Sequence, residues 1–253
     1  KYFHSFCISA ALNRIVDELD SDNRPEPESI LKIRKAFDEA FAKDADNDIC
    51  PMKPQRIIRD VRKALGRKDI LISDVGAHKM WIARLYYCYE PNTCIISNGF
   101  ATMGIGLPGA ISAKLVHPER RILTITGDGG FMMNSQELET AVRLKLNIVV
   151  LIMNDSSYGL IKWKQMDQYG ETYFTDFTNP DFVKLAESMN CIGYRVNKAS
   201  DLPELLEKAF QHDRPVIIDV PVDYSENVKL SKSLKSWREK LAAGKSRLSG
   251  RNK

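Results

Sequence analysis

No stretch of the 253 residues approaches the ~20 consecutive apolar residues that a membrane-spanning helix requires. The amino end also lacks the basic, then apolar, then small order of a secretory signal. These absences exclude a membrane partner at the level of sequence and set a cytoplasmic location as the expectation. Cysteine is sparse: Cys7, Cys50, Cys88, Cys94 and Cys191 are odd in number and scattered, without the close pairing of a zinc site or a thiol redox motif. They read as reduced packing residues. A G-x-G-x-x-G turn is missing as well, since SDVGAHKM follows the first strand-like run, and this weakens a nicotinamide-binding reading. Internal repeats and low-complexity tracts are absent.

Positive charge is scarce over most of the chain. The formal charge is +4, yet residues 229 to 253 hold nine Lys/Arg and one acid, which leaves the remainder at about −4. An acidic body excludes nucleic acid as its partner. The basic tail, 229–253, reads as a solvated, partly helical end. What is abundant is apolar side chain, 43% of the residues, enough for one sizeable core.

The apolar residues fall into two regimes. Residues 9–19 (SAALNRIVDEL) and 29–43 (SILKIRKAFDEAFAK) repeat at helical spacing on either side of the breaker run SDNRPEPE. DNDICPMKP marks a further boundary, and IIRDVRKAL after it is amphipathic. From there short apolar runs alternate with helical stretches. The runs are DILISDV (69–75), RILTITGDG (121–129), NIVVLIMND (147–155), CIGYRV (191–196) and PVIIDVPV (215–222). Helices are expected near 104–116, 134–146, 158–168, 179–189 and 201–211. Near-continuous hydrophobicity is what strands covered on both faces require, and strand alternating with helix implies parallel strands joined by crossovers. The fold expected is a doubly wound α/β domain over 51–228, with a mainly parallel sheet and helices on both faces. Residues 1–50 form an N-terminal helical extension. Ligands in such sheets sit beyond the carboxyl ends of the strands, here the loops at 75–78, 97–103, 127–130 and 154–159.

Two strand ends carry oxygen-rich residues. Gly127-Asp128-Gly129-Gly130 follows one buried run and precedes a helix that could start near Asn134; glycines let a backbone approach a phosphate, and helix N-termini favour anions. A Gly-Asp-Gly alone is common in tight turns. Asn154-Asp155 ends the next run about one βαβ unit later, and a right-handed crossover brings such ends together. Magnesium takes six oxygens and typically combines one or two carboxylates with substrate phosphates. Asp128, Asp155 and the backbone carbonyl of Ser157 are the candidate protein ligands.

GDGGFMMNSQELETAVRLKLNIVVLIMND resembles the signature of thiamine-diphosphate enzymes, with Asp155 replacing the second Asn of the usual closing pair. An acid there resembles catabolic acetolactate synthases. Val75-Gly76-Ala77-His78-Lys79-Met80-Trp81 resembles the acetolactate synthase run Val-Gly-Gln-His-Gln-Met-Trp, whose Gln and His side meets the diphosphate; Ala77 replaces the Gln, so that contact is missing or supplied elsewhere. Ala101-Thr102-Met103-Gly104-Ile105-Gly106-Leu107-Pro108 is similar to the run in which the Met bends the cofactor, which implies that role for Met103, with the Ala101 carbonyl and Met103 N–H on the aminopyrimidine. In Ser156-Ser157-Tyr158-Gly159-Leu160 the resemblance puts Ser157, Tyr158, Gly159 and Leu160 at cofactor-facing positions, and Trp163 beyond them at the substrate entrance.

The resemblance spans about residues 51–228 and implies thiamine diphosphate and Mg2+ as cofactors, with no residue pattern that speaks for FAD. It implies union of two pyruvates into 2-acetolactate with loss of CO2. It also places the activating glutamate on a separate pyrimidine-binding domain, so no catalytic side chain is assigned within this chain. Residues 1–50 then correspond to the end of a middle domain and its linker, the isolated chain is expected to be inactive, and a homo-oligomer is expected. Another thiamine-diphosphate 2-oxoacid decarboxylase or carboligase, including a split subunit, and a noncatalytic relative remain as alternatives.

Overall fold

The computed structural model describes residues 28–227 and Leu230. The expected helix at 9–19, Cys7 and the basic tail apart from Leu230 lie outside the described residues. The chain divides into two units, residues 1–42 and 43–253. Helix α1 (Glu28–Ala45) follows the periodicity expected over 29–43 and exposes Ile30, Leu31 and Ile33.

The second unit is built on one six-stranded sheet in the order β2-β1-β3-β4-β6-β5, every pair parallel. The strands are β1 (Ile70–Ser73), β2 (Cys94–Ile96), β3 (Ile122–Gly127), β4 (Val149–Asn154), β5 (Ile192–Arg195) and β6 (Val216–Pro221). The four central strands are buried along nearly their whole length, while the edges β2 and β5 are not. This is why the central runs read as unbroken Val/Ile/Leu: both of their faces are covered.

Alternate side chains of each strand enter opposite layers. Ile70, Ile72, Ile122, Val150, Ile152 and Ile217 pack with residues of α4 (Gly106–Val116), α5 (Asp128–Met133), α6 (Leu138–Arg143) and α8 (Phe182–Ser188). On the other side α2 (Pro54–Ala64) packs against α3 (Ala77–Leu85) and α9 (Asp201–Gln211). Helix α7 (Gly159–Tyr169) completes the set and buries no residue fully. The chain steps outward from β1 to β2 and then returns to the far side of β1 as β3, so β1 and β3 flank a switch point, where α/β sheets open a crevice.

Three local expectations need correction. The helix after the Gly-Asp-Gly-Gly run starts at Asp128, not near Asn134; α5 ends at Asn134 (φ −137°), and a 3-10 turn over Ser135–Glu137 leads into α6. Asp128 and the two glycines after it therefore form the first turn of a helix rather than a loop. The loop expected at 75–78 is cut short, because α3 begins at Ala77. Strand β2, only three residues long, falls in a stretch with no strand expected. Cys88 is exposed rather than packed, while Cys191 is buried. No helix among the described residues is long and apolar enough to cross a membrane.

Candidate functional site

The carboxyl ends of β1, β3 and β4 open into a cleft, at the place in a doubly wound sheet where ligands sit. The structure brings nearly every sequence-derived candidate to its walls: Val75, Gly76, Ala77 and His78 from the β1 end, Met103 from the loop before α4, Gly127 to Gly130 from the β3 end, and Asp155, Ser157, Tyr158, Gly159 and Leu160 from the β4 end. Ala101 and Trp163 are not among the lining residues. Ala101 takes a left-handed backbone (φ 51°), a conformation that glycine adopts more readily than alanine. Trp163 lies half-buried on α7. Met153, Ile161 and Tyr224 line the cleft without having been singled out.

The floor is a carboxylate pair, Asp128 buried and Asp155 half-buried. Asp128, 1% exposed, accepts hydrogen bonds from the Gly129 N–H (2.8 Å), the Ser156 N–H (2.6 Å) and the Asn179 side-chain amide (2.7 Å). Asp155 accepts one from the Ser157 hydroxyl (2.8 Å). Burial pushes the Asp128 carboxyl up, against the pull of those hydrogen bonds. Burial, and then the charge of Asp128, push Asp155 up to about 6 despite Ser157. Among the described residues no lysine or arginine lines the cleft. The surroundings thus resist two negative charges that the strand ends nevertheless hold together, and a cation between them resolves the conflict. The described residues hold no group of three or more His, Cys, Asp or Glu in metal-binding array. A cation here would therefore rely on the two carboxylates, a backbone oxygen and the oxygens of a ligand, a donor set that suits magnesium.

Gly159 is part of that floor. A Cβ on it would stand 2.8 Å from Asp155 Oδ2, so only glycine lets α7 begin this close to the carboxylate. The segment 175–177 braces the same turn: the Tyr158 N–H donates to the Thr175 carbonyl (2.8 Å), the Phe177 N–H to the Ser156 carbonyl (3.0 Å), and the Tyr158 and Phe177 rings lie 4.8 Å apart.

The opposite wall is set by Asp74, a residue the sequence reading passed over. Its Oδ1 accepts from the Val75 N–H (2.6 Å) and the Gly104 N–H (2.9 Å), and its Oδ2 from the Gly106 N–H (3.2 Å) and the Thr126 hydroxyl (3.0 Å). One buried carboxylate thereby fixes the β1 end, the β3 end and the loop carrying Met103. His78 is 1% exposed, and burial drives its imidazole down to about 4 against the opposing influence of Asp74. A ring N–H donates to the Asp74 carbonyl while Nε2 has no partner in the chain. At neutral pH His78 therefore presents a bare acceptor. Tyr224, just past β6, donates to Met153 Sδ at 3.8 Å; burial and the charges of Asp155 and Asp128 hold its phenol protonated. Asn179 reaches Asp128, Asn154 and Ser156 with its amide nitrogen, leaving its oxygen buried without a partner.

A doubly wound parallel sheet whose adjacent strand ends hold a Gly-Asp-Gly turn and an Asn-Asp pair around a cleft is the arrangement of a phosphate-ligand domain of the α/β class. Residues 74–220 match the thiamine pyrophosphate enzyme C-terminal TPP binding domain, and the chain belongs to that family. It is 43% identical to the acetolactate synthase of Bacillus subtilis over 178 residues, covering 70% of this chain and 31% of that protein. It is 37% identical to the catabolic acetolactate synthase of Raoultella terrigena, over 87% of this chain and 40% of that protein. A putative thiamine pyrophosphate-containing protein of B. subtilis is 38% identical, over 71% of this chain and 31% of its own length. The chain thus spans between three and four tenths of the length of these relatives.

Proposed function

We propose that this chain is the diphosphate- and magnesium-binding part of a thiamine-diphosphate enzyme of acetolactate synthase type, which joins two pyruvates into 2-acetolactate and releases CO2. The observation that carries the reading is the pairing of buried Asp128 with half-buried Asp155 at adjacent strand ends, in a cleft that no Lys or Arg lines among the described residues. The chain supplies positioning. Asp128, Asp155 and the Ser157 carbonyl would hold the cation, which would supply the positive charge that a diphosphate needs here. Gly127, Gly129, Gly130 and Gly159 keep the floor low enough for close approach, with Val75, Gly76, Ala77, His78, Tyr158 and Leu160 walling it. Met103, held by the Asp74 network, stands over the cleft as the bulky residue that bends the cofactor, and Ala101 carries the backbone beside it. Thiamine diphosphate, when bound, supplies the carbon nucleophile and electron sink needed to decarboxylate a 2-oxoacid. The pyrimidine-binding partner domain, on the same or a second chain, supplies the acid that this cleft lacks.

Calorimetric titration of thiamine diphosphate, with and without Mg2+, tests the reading on the wild type and on Asp128→Asn, which keeps the side chain's shape. Magnesium-dependent binding, weakened at least 100-fold in the variant, is expected, since a charged ligand to the metal is removed. Absence of binding to the wild type under every condition would favour a noncatalytic relative. Products formed from pyruvate then separate acetolactate synthesis from other 2-oxoacid decarboxylation or carboligation.

A further inference from the structure

Resting on that reading, the geometry points to Tyr224 as a direct ligand of the diphosphate: we propose that its hydroxyl donates a hydrogen bond to the diphosphate oxygens beside the metal. A diphosphate carries several negative oxygens and needs donors as well as a cation. The side chains lining the cleft supply few. No lysine or arginine is among them, and Ala77 at the start of α3 brings no polar atom. His78 spends a ring N–H on the Asp74 carbonyl and offers only the bare Nε2. The Ser157 hydroxyl is given to Asp155 Oδ2 at 2.8 Å.

Tyr224 differs from all of these. It lines the cleft, lies close enough to Asp155 and Asp128 to feel both charges, and directs its hydroxyl at the thioether of Met153 at 3.8 Å. A thioether is a weak acceptor, so the donor is free to turn to a better one. The chain path explains the placement: β6 pairs with β4 through Asn154–Pro221, so the residues just after β6 reach the same end of the sheet as Asp155.

Tyr224→Phe removes the hydroxyl and keeps the ring, and the full-length protein expressed from the complete reading frame is the material for the test. Calorimetry in Mg2+ would compare thiamine diphosphate with inorganic pyrophosphate as probes, alongside thermal unfolding of the cofactor-free protein. The expected result is about 10-fold or more weaker binding of both probes in the variant, the loss of one hydrogen bond to a charged group, with an unchanged cofactor-free midpoint. Affinities within threefold of wild type for either probe would overturn the proposal. So would a lowered cofactor-free midpoint with unchanged affinity, which would make the hydroxyl a packing contact to Met153. Failure of the wild type itself to bind would instead remove the functional reading on which this one rests.

Discussion

Asp155 is the carboxylate that folding disfavours most clearly in its ionised form. Its carboxyl titrates near 6 in the folded chain, because of burial and then Asp128, against an ordinary value of 3.8. A carboxyl raised on folding disfavours the folded state once ionised. The destabilisation from this one group is therefore absent below pH 3.8, grows as pH rises toward 6, and is fully present above it. Asp155→Asn removes that ionisation while keeping an acceptor for Ser157. In the cofactor-free protein it is expected to stabilise by about 1–2 kcal/mol at pH 8 and to have little effect at pH 4. Urea unfolding at the two pH values reads this directly, and an equal effect at both would refute the electrostatic cause. The same change should weaken magnesium-dependent cofactor binding, so stability and function move in opposite directions at one residue. Residues of this kind were legible in the sequence because both carboxylates sit in short runs at strand ends. Asp74, Asn179 and Tyr224 were not, since their importance comes from strands that meet only in the sheet. Asp74 follows its strand like any polar terminus, and nothing local to Asn179 says that it will reach Asp128 fifty-one residues away.

At the scale of elements, the central strands and most crossover helices followed their periodicity because burial on both faces leaves a plain apolar signal. Strand β2 was missed because three residues at an edge, two half-buried and Ile95 exposed, carry almost none. Helix α3 was missed because its first residues, Ala77 and His78, look like loop chemistry while its apolar residues serve a single face. The break between α5 and α6 arises at Asn134, whose side chain is recruited to the Gly104 carbonyl at 2.8 Å. One glycine within a strand did carry a readable message. CIGYRV has Gly193 at its centre, and a Cβ there would meet Val183 Cα and its carbonyl oxygen at 2.8 Å each. Those are backbone atoms of α8, which cannot swing aside as a side chain could. Gly193→Ala is therefore expected to push α8 off β5 and cost about 2–3 kcal/mol in chemical unfolding. Gly99→Ala, where nothing lies within 4 Å, is the comparison and should lack that packing penalty. Equal losses in the two variants would show that helix–strand approach is not what Gly193 permits.

At the scale of the whole molecule, the cleft has a floor for the diphosphate but no spare acid. Its lining carboxylates are Asp128 and Asp155, and the proposed cation engages both. Asp74, beside the cleft at the β1 end, holds four donors and is 1% exposed, so it cannot also serve a ligand's amine or ring nitrogen. His78, neutral at pH 7 with one nitrogen committed, is a poor proton source. General acid–base assistance contributes typically 10²–10⁴-fold to catalysis. The 253 residues alone are therefore expected to bind magnesium and thiamine diphosphate while forming acetolactate from pyruvate at under about 1% of the rate of the same chain joined to a pyrimidine-binding domain. The measurement is product formation by the chain alone and after addition of that domain as a separate polypeptide. Rescue by addition would place the missing acid on the partner. Full turnover by the chain alone would mean that a described residue, with His78 the first to mutate, performs the proton transfer that this cleft does not visibly provide.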